Sequence, residues 1–341
     1  MAGPTATTPA LPDGAVERAR AAVVPLHVLL ELTYRCNVRC VHCYLAGREE
    51  EMSLAELTGL LDELAEEGCL VLTLSGGEVL LRRDFFAIAG AARARGFGLR
   101  IFTNGTLVDE PTADRLAALE PIVVEMSLLG ATPQTHDAIT LKRGSFARTV
   151  RAARLLGARA VRVKLKTTLM RPNVAEAAEM ATLAEGLGAQ HQVSFVVMPK
   201  RDGDPSPLAL QVGDRALRRH LARRERELDE APVPRAVGDD GLCSAGRAAC
   251  SISPAGDVYP CVLLPLKAGS VRERPFGAIW REAPQLHLMR ELIARHKIGC
   301  NNCDDEGHFF CPALNMLQSG DPAQIAPQAV RGRALWRDLG L

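Results

Sequence analysis

The 341-residue sequence has no excess charge of either sign: 41 lysines and arginines stand against 40 aspartates and glutamates, a net charge of +1. Neither a nucleic-acid surface nor an acidic membrane is therefore an expected partner. It has no apolar run long enough to span a bilayer. Its Ala-, Pro- and Thr-rich start, Met1 to Val24, lacks the basic stretch and apolar core of a secretion signal. A soluble, cytoplasmic protein is expected. No repeat recurs at a fixed period and no long low-complexity tract interrupts the chain, which excludes a solenoid. The length suits one large domain and a smaller one.

What the sequence does have is cysteine, ten residues in all. Without a secretion signal these are expected as ligands or buried thiols, not disulfides. One group lies at 36 to 43 and another at 243 to 311, with Cys69 alone between them. Cys69 opens the apolar run Leu70 to Leu74 and is expected as a core thiol. Cys36, Cys40 and Cys43 form a Cys-x3-Cys-x2-Cys motif directly after a strand-like segment. A [4Fe-4S] cluster normally takes four thiolates, so three leave one iron open to a small chelating molecule. The competing reading is a structural zinc site with a distant fourth ligand.

Strands are predicted at His27 to Tyr34, Leu70 to Ser75, Leu99 to Thr103, Val123 to Ser127, Arg162 to Leu169 and Gln192 to Met198. A capping box, Ser53 with Glu56, opens a helix that stops at Gly68, and others run from Asp84 to Gly96, Gly144 to Gly157 and Asn173 to Gly188. This alternation predicts βα units and a parallel sheet, with functional residues at the C-terminal strand ends. The expected division is a flexible leader at 1–24, a barrel at 25–210, a helical linker at 211–240 and a Cys-rich domain at 241–341. That last domain is poor in helical periodicity, as where metal holds the fold.

Further candidates fall at the strand ends. In Ser75-Gly-Gly-Glu78, two glycines permit close backbone approach to a ligand. Asn104 of Thr103-Asn-Gly105 either faces the site or serves only the turn. Ser127 ends the fourth strand. Lys164 and Lys166 share one face of the fifth, as cosubstrate contacts or as inward lysines with structural partners. His136 and Asp137 are acid–base candidates, though a hydrogen-bonded helix start is the expected role. Near the C-terminus, Cys243, Cys250 and Cys261 flank a Pro-x-Gly hairpin, and Cys300, Cys303 and Cys311 follow. A structural zinc ribbon is the competing reading of that set.

On these motifs the sequence resembles the radical S-adenosylmethionine family, in its peptide-maturing branch. The resemblance implies an α/β fold, a partial (β/α)6 TIM-like barrel with a small Cys-rich auxiliary-cluster domain. It implies a [4Fe-4S] cluster on Cys36, Cys40 and Cys43 that binds S-adenosylmethionine, with Gly76, Gly77, Glu78, Asn104, Ser127, Lys164 and Lys166 around the cosubstrate. His42, where the family has a flat side chain, would line the cluster or the adenine pocket. The C-terminal cysteines resemble the extension called SPASM, or its shorter relative called twitch. In the SPASM pattern Cys243, Cys250, Cys261 and Cys311 hold one auxiliary [4Fe-4S] cluster and Cys300 and Cys303 belong to a second. Two cysteines of that second set are missing, with His308 near one vacancy as a ligand or a solvated loop residue. In the twitch pattern Cys243, Cys261, Cys300 and Cys303 hold a single cluster. Either way at least one auxiliary cluster is expected. The implied activity is hydrogen abstraction by a 5′-deoxyadenosyl radical from a precursor peptide. The alternatives are dehydrogenation or rearrangement of a small biosynthetic intermediate, or a non-catalytic iron–sulfur sensor. A flavodoxin or ferredoxin is the implied electron donor. With only about 25 residues before the first strand, peptide recognition is expected to need a separate leader-binding protein or an unusual surface.

Overall fold

The computed structural model describes residues 14–47, 50–219, 243–296 and 311–324. Six parallel strands follow the βα alternation: β1 (His27–Thr33), β2 (Val71–Gly76), β3 (Gly98–Thr103), β4 (Val123–Ser127), β5 (Val163–Thr168) and β6 (Gln190–Ser194). Each pairs in parallel with its predecessor. The capping box forms as the sequence requires: the Ser53 amide donates to Glu56 Oε2 at 2.7 Å and the Glu56 amide to Ser53 Oγ at 3.2 Å. Such a cap contributes about 1 kcal/mol to its helix, Leu54–Glu66.

The period of two along each strand divides the sheet into two faces. Val28, Leu30, Leu32, Leu72, Leu74, Leu99, Ile101, Val124, Met126 and Leu165 pack into one core with the helices. The opposite parity carries the sheet's polar residues, His27, Glu31, Thr73, Arg100, Glu125, Lys164 and Lys166, with Leu29 and Phe102 among them. Register carries this polar face across the sheet, with Glu31 opposite Ser75, Glu125 opposite Lys164 and Ser127 opposite Lys166. Buried charges need partners. Glu125 has them in Arg100, by a short contact, and in Lys166, whose Nζ lies 3.2 Å from Oε2.

The C-terminal segment continues the barrel's sheet: β7 (Ala249–Ile252) pairs in parallel with β1, and β8 (Asp257–Tyr259) and β9 (Gly269–Ser270) extend it antiparallel. Ile252, Val258, Phe276, Ile279 and Trp280 join the barrel's core, while Ala245, Leu264, Met289, Leu292, Ile293, Ala313 and Leu314 form a smaller one with Met198. Against the expectation of little helical periodicity, Phe276–Glu282, Pro284–His296 and Pro312–Ser319 are helical. Their apolar residues recur at spacings of three and four, a pattern masked in the sequence by the surrounding Cys, Gly and Pro. The expected leader also contains structure. Ala15–Ala21 is a helix, and the Trp280 indole N–H donates to the Val23 carbonyl. The short helix Glu110–Ala118, capped by Asp109, was not anticipated, and Pro133–Thr140, capped by Thr132, contains His136 and Asp137, for which only a helix start was expected. Of the expected linker, Val212 and Leu217 are in the main core; residues 220–242 lie outside the described set.

Candidate active site

The three cysteines occupy the loop that leaves the C-terminal end of β1, and the ends of β2 and β3, the Pro133–Thr140 helix and Arg201 hold that loop. From β2, Gly77 N–H donates to Thr33 O at 2.6 Å and Glu78 N–H to Arg35 O at 2.9 Å. A Cβ on Gly76 would stand 2.2 Å from Thr33 O, and one on Gly77 2.4 Å from Arg35 O. Gly76 also has φ 135°, a conformation that favours glycine. The close approach anticipated here thus has a partner inside the protein: the backbone that leads into the triad.

Glu78 is fully buried and accepts from Leu80 N–H at 3.1 Å, Thr103 Oγ1 at 2.7 Å and Asn104 N–H at 2.7 Å. Burial pushes its carboxyl above the ordinary value, against these hydrogen bonds. It joins the ends of β2 and β3. Asn104, so fixed, donates from Nδ2 to Asn37 Oδ1 at 2.8 Å and towards Cys36 Sγ at 3.8 Å, and accepts from the amide and hydroxyl of Thr106. Asn37 Nδ2 returns to Thr106 Oγ1 at 2.9 Å. Asn104 therefore does more than turn the chain.

The middle of the loop rests on the end of the Pro133–Thr140 helix, whose last carbonyls lack intrahelical donors. Arg39 N–H donates to Thr140 O and Val41 N–H to Ile139 O, both at 3.0 Å. The acid–base candidates on that helix are structural. His136 Nδ1 accepts from Leu129 N–H, and Asp137 accepts from the amides of Gly144 and Phe146 and from Ser145 Oγ, capping the next helix.

Arg201, beyond β6, grips both flanks of the loop. Its amide donates to Tyr44 O at 2.9 Å, and its guanidinium donates to Glu31 Oε2 at 2.9 Å and to the Tyr34 hydroxyl. The guanidinium also lies 4.9 Å from the Tyr259 ring centre on β8. No spacing in the sequence signalled Arg201, Asn37 or Thr106, because each acts across a long separation in the chain.

Burial pushes the Cys40 thiol up to about 12, with smaller contributions from Cys43 and Cys36, and raises the other two thiols as well. Iron binds cysteine as the thiolate, so loading the site must release those protons. The residues fit a [4Fe-4S] group: three thiols on one pinned loop, with an amide N–H directed at one sulfur. Among the described residues no set of three His, Cys, Asp or Glu side chains is arranged for a single metal ion. A cluster makes no such demand, since each thiolate binds a different iron. His42 is half-buried, desolvation pushes its pKa down to about 4, and its Nδ1 has no hydrogen-bond partner among the described residues. On the polar sheet face, Ser127 is exposed at the end of β4, Lys166 also lies 4.2 Å from the Phe102 ring centre, and Lys164 is half-buried.

The second cysteine group is only partly assembled. Cys243, Cys261 and Cys311 pack together in the smaller core with Tyr44, the residue after Cys43. Cys250 does not join them. It lies on β7 opposite Val28, in the main core with Cys69, where burial holds its thiol well above the ordinary value. The strand's alternation explains this, since Cys250 shares the parity of Ile252. Cys300, Cys303 and His308 lie outside the described residues.

A parallel βα sheet with a cysteine triad at its first strand end, braced by the next strand ends and backed by further thiols, defines an iron–sulfur enzyme on a half-barrel scaffold. The Radical SAM superfamily model matches residues 30–184, and the model of SPASM, an iron-sulfur cluster-binding domain, matches 243–304. The chain belongs to the radical SAM superfamily. It is 33% identical over 305 residues to mycofactocin maturase MftC of Mycobacterium tuberculosis, covering 84% of this chain and 76% of that one. It is 29% identical to the AdoMet-dependent heme synthase of Methanosarcina barkeri (82% and 91% covered) and 30% identical to the PqqA peptide cyclase of Xanthomonas campestris (91% and 88%). The fold is similar to that of Streptococcus suis SuiB bound to S-adenosylmethionine, with a TM-score of 0.69 at 16% identity over 92% of this chain and 80% of that one. No described helix is long and apolar enough to cross a membrane.

Proposed function

We propose that the protein is a radical S-adenosylmethionine maturase that modifies a ribosomally made peptide. The observation that carries this reading is the reach of the similarity to the PqqA peptide cyclase, which runs through 91% of the chain. When bound, a [4Fe-4S] cluster with S-adenosylmethionine on its open iron supplies one-electron cleavage to a 5′-deoxyadenosyl radical. The chain's own part is orientation and shielding. Cys36, Cys40 and Cys43 hold the cluster. Glu78, through Asn104, fixes the first cysteine's surroundings, and the Ile139 and Thr140 carbonyls fix those of the second. His42 Nδ1 offers an acceptor beside the cluster, and Ser127 and Lys164 line the sheet face where cosubstrate lies. Lys166 acts through Glu125, with which it is paired.

For the auxiliary cluster the reading takes Cys243, Cys261 and Cys311 as ligands and leaves Cys250 as a core thiol. A flavodoxin or ferredoxin supplies the electron, and a separate leader-binding protein presents the substrate. The similarity to a heme synthase favours a second reading, a small-molecule substrate. Anaerobic turnover with short peptides encoded beside the gene, and in parallel with tetrapyrroles, separates the two. A peptide mass change matched mole for mole by 5′-deoxyadenosine is expected, and a product only from the tetrapyrrole overturns the peptide reading.

A further inference from the structure

One bond decides which way the side chain of Asn104 faces. Its Oδ1 accepts from the Thr106 amide at 2.9 Å, and a backbone N–H can only donate, so this end of the side-chain amide is the oxygen. The NH2 end then faces Asn37 and Cys36. The Thr106 hydroxyl also donates to Asn104 Oδ1, which leaves its own lone pairs to accept from Asn37 Nδ2 at 2.9 Å, while Asn37 Oδ1 accepts from Asn104 Nδ2 at 2.8 Å. The three side chains close a ring of donors and acceptors. It leaves over one N–H of Asn104, directed at Cys36 Sγ 3.8 Å away.

The backbone beneath the ring is fixed as well. Asn104 N–H donates to Oε2 of the buried Glu78, whose Oε1 takes Leu80 N–H and the Thr103 hydroxyl, and Asn104 O accepts from Thr149 Oγ1 at 2.8 Å. The donor is therefore aimed before iron arrives. Both lone pairs of Oδ1 and both N–H groups are engaged, so the side chain keeps no polar atom to offer a cosubstrate. Burial raises the Cys36 thiol, and the Val38 amide and Asn104 oppose that rise, as donors to a charged sulfur should.

We propose that Asn104 donates an N–H···S hydrogen bond to the Cys36 thiolate and thereby raises the reduction potential of the cluster that the triad holds. It acts through Cys36, as a positioning residue. The proposal rests on the [4Fe-4S] reading of the triad and adds the part of the chain that tunes it. One electron from the reductant adds a negative charge that spreads onto the ligand sulfurs, no bond forms or breaks, and a hydrogen bond to sulfur stabilises the reduced form. Without the donor, reduction becomes harder.

The test is an EPR-monitored redox titration of the iron-reconstituted full chain, with dithionite as reductant and without S-adenosylmethionine. The triad's signal is the one that changes when S-adenosylmethionine is added afterwards. Asn104→Leu keeps the size, removes the donor and adds no charge; Thr106→Val keeps the donor, opens the ring that aims it, and carries the test if Asn104→Leu fails to fold. At a fixed potential the ratio of reduced to oxidised cluster should fall about tenfold in Asn104→Leu, which is about 59 mV for a one-electron couple, and about threefold in Thr106→Val. Iron content and the auxiliary signal should not move. An unchanged triad potential in the variants overturns the proposal. Iron lost from the triad in both also overturns it, because the ring would then shape the loop and not the potential. So does a raised KM for S-adenosylmethionine at unchanged potential, which would make Asn104 a cosubstrate contact. Wild-type protein that yields no 5′-deoxyadenosine with dithionite overturns the radical reading and leaves the potentials to decide the role of Asn104.

Discussion

Cys36, Cys40 and Cys43 lie on one short loop that four parts of the barrel hold in place: Gly77 and Glu78, Asn104, the end of the Pro133–Thr140 helix, and Arg201. Cys243, Cys261 and Cys311 are far apart in sequence and meet in a small apolar core. The first site is built by hydrogen bonds to backbone, the second by packing. Directional bonds fix a loop before any ligand arrives, whereas an apolar cluster fixes only which residues are near one another. The triad is therefore expected to hold its shape without iron, and the auxiliary site to depend on it more.

The largest effect that would break this contrast is Cys40→Ala. It should abolish 5′-deoxyadenosine formation, because the cluster loses one of its three thiolates, while the auxiliary iron remains. Iron content with Mössbauer or EPR spectra of the variant checks it. Loss of all iron would show that the shared sheet, in which β7 pairs with β1, makes the two sites one cooperative unit.

A sharper test lies inside the second site. Cys261→Ala should lose the auxiliary iron, and Cys250→Ala should keep it. The latter leaves only a small void in the main core and should cost about 1 kcal/mol of stability, read from urea unfolding. Iron lost equally in both variants would return Cys250 to the ligand set.

How much of this was legible in the sequence follows the same contrast. The six parallel strands, the triad and the Ser53–Glu56 box were readable because each is written in neighbouring residues. The glycines and Glu78, expected around the cosubstrate, lie beside the triad loop with protein groups as partners, Thr33, Arg35, Thr103 and Asn104, which no local pattern names. Cys250 looked like a ligand because spacing cannot show parity, and parity turns it into the main core. Arg201 was invisible. It meets Glu31 and Tyr34 only because the chain after β6 leaves the sheet and returns over β1, a matter of topology and not of motif.

The smallest effect distinguishes the two regions by acid. His27, His42 and His136 all belong to the barrel, and burial pushes each down to about 4; Arg100 adds to the effect at His27, and Asp137 opposes it at His136. A depressed histidine binds its proton more readily when the chain is unfolded. Its contribution is therefore complete above about pH 6.5 and is lost as the pH falls towards 4, by at most about 3 kcal/mol each. Glu78 works in the opposite direction, since its raised carboxyl favours the folded state at low pH. The buried cysteines on both sides, Cys40 and Cys261 pushed up to about 12, titrate far above this window and leave it to the histidines. Urea unfolding of iron-free protein at pH 7.5 and 5.5 should show a clear loss of stability at the lower pH, and His42→Phe should reduce that loss by about a third if the three rings share it equally. A pH dependence untouched by that change would mean that His42 takes up its proton alike in the folded and the unfolded chain, so that burial does not hold it neutral.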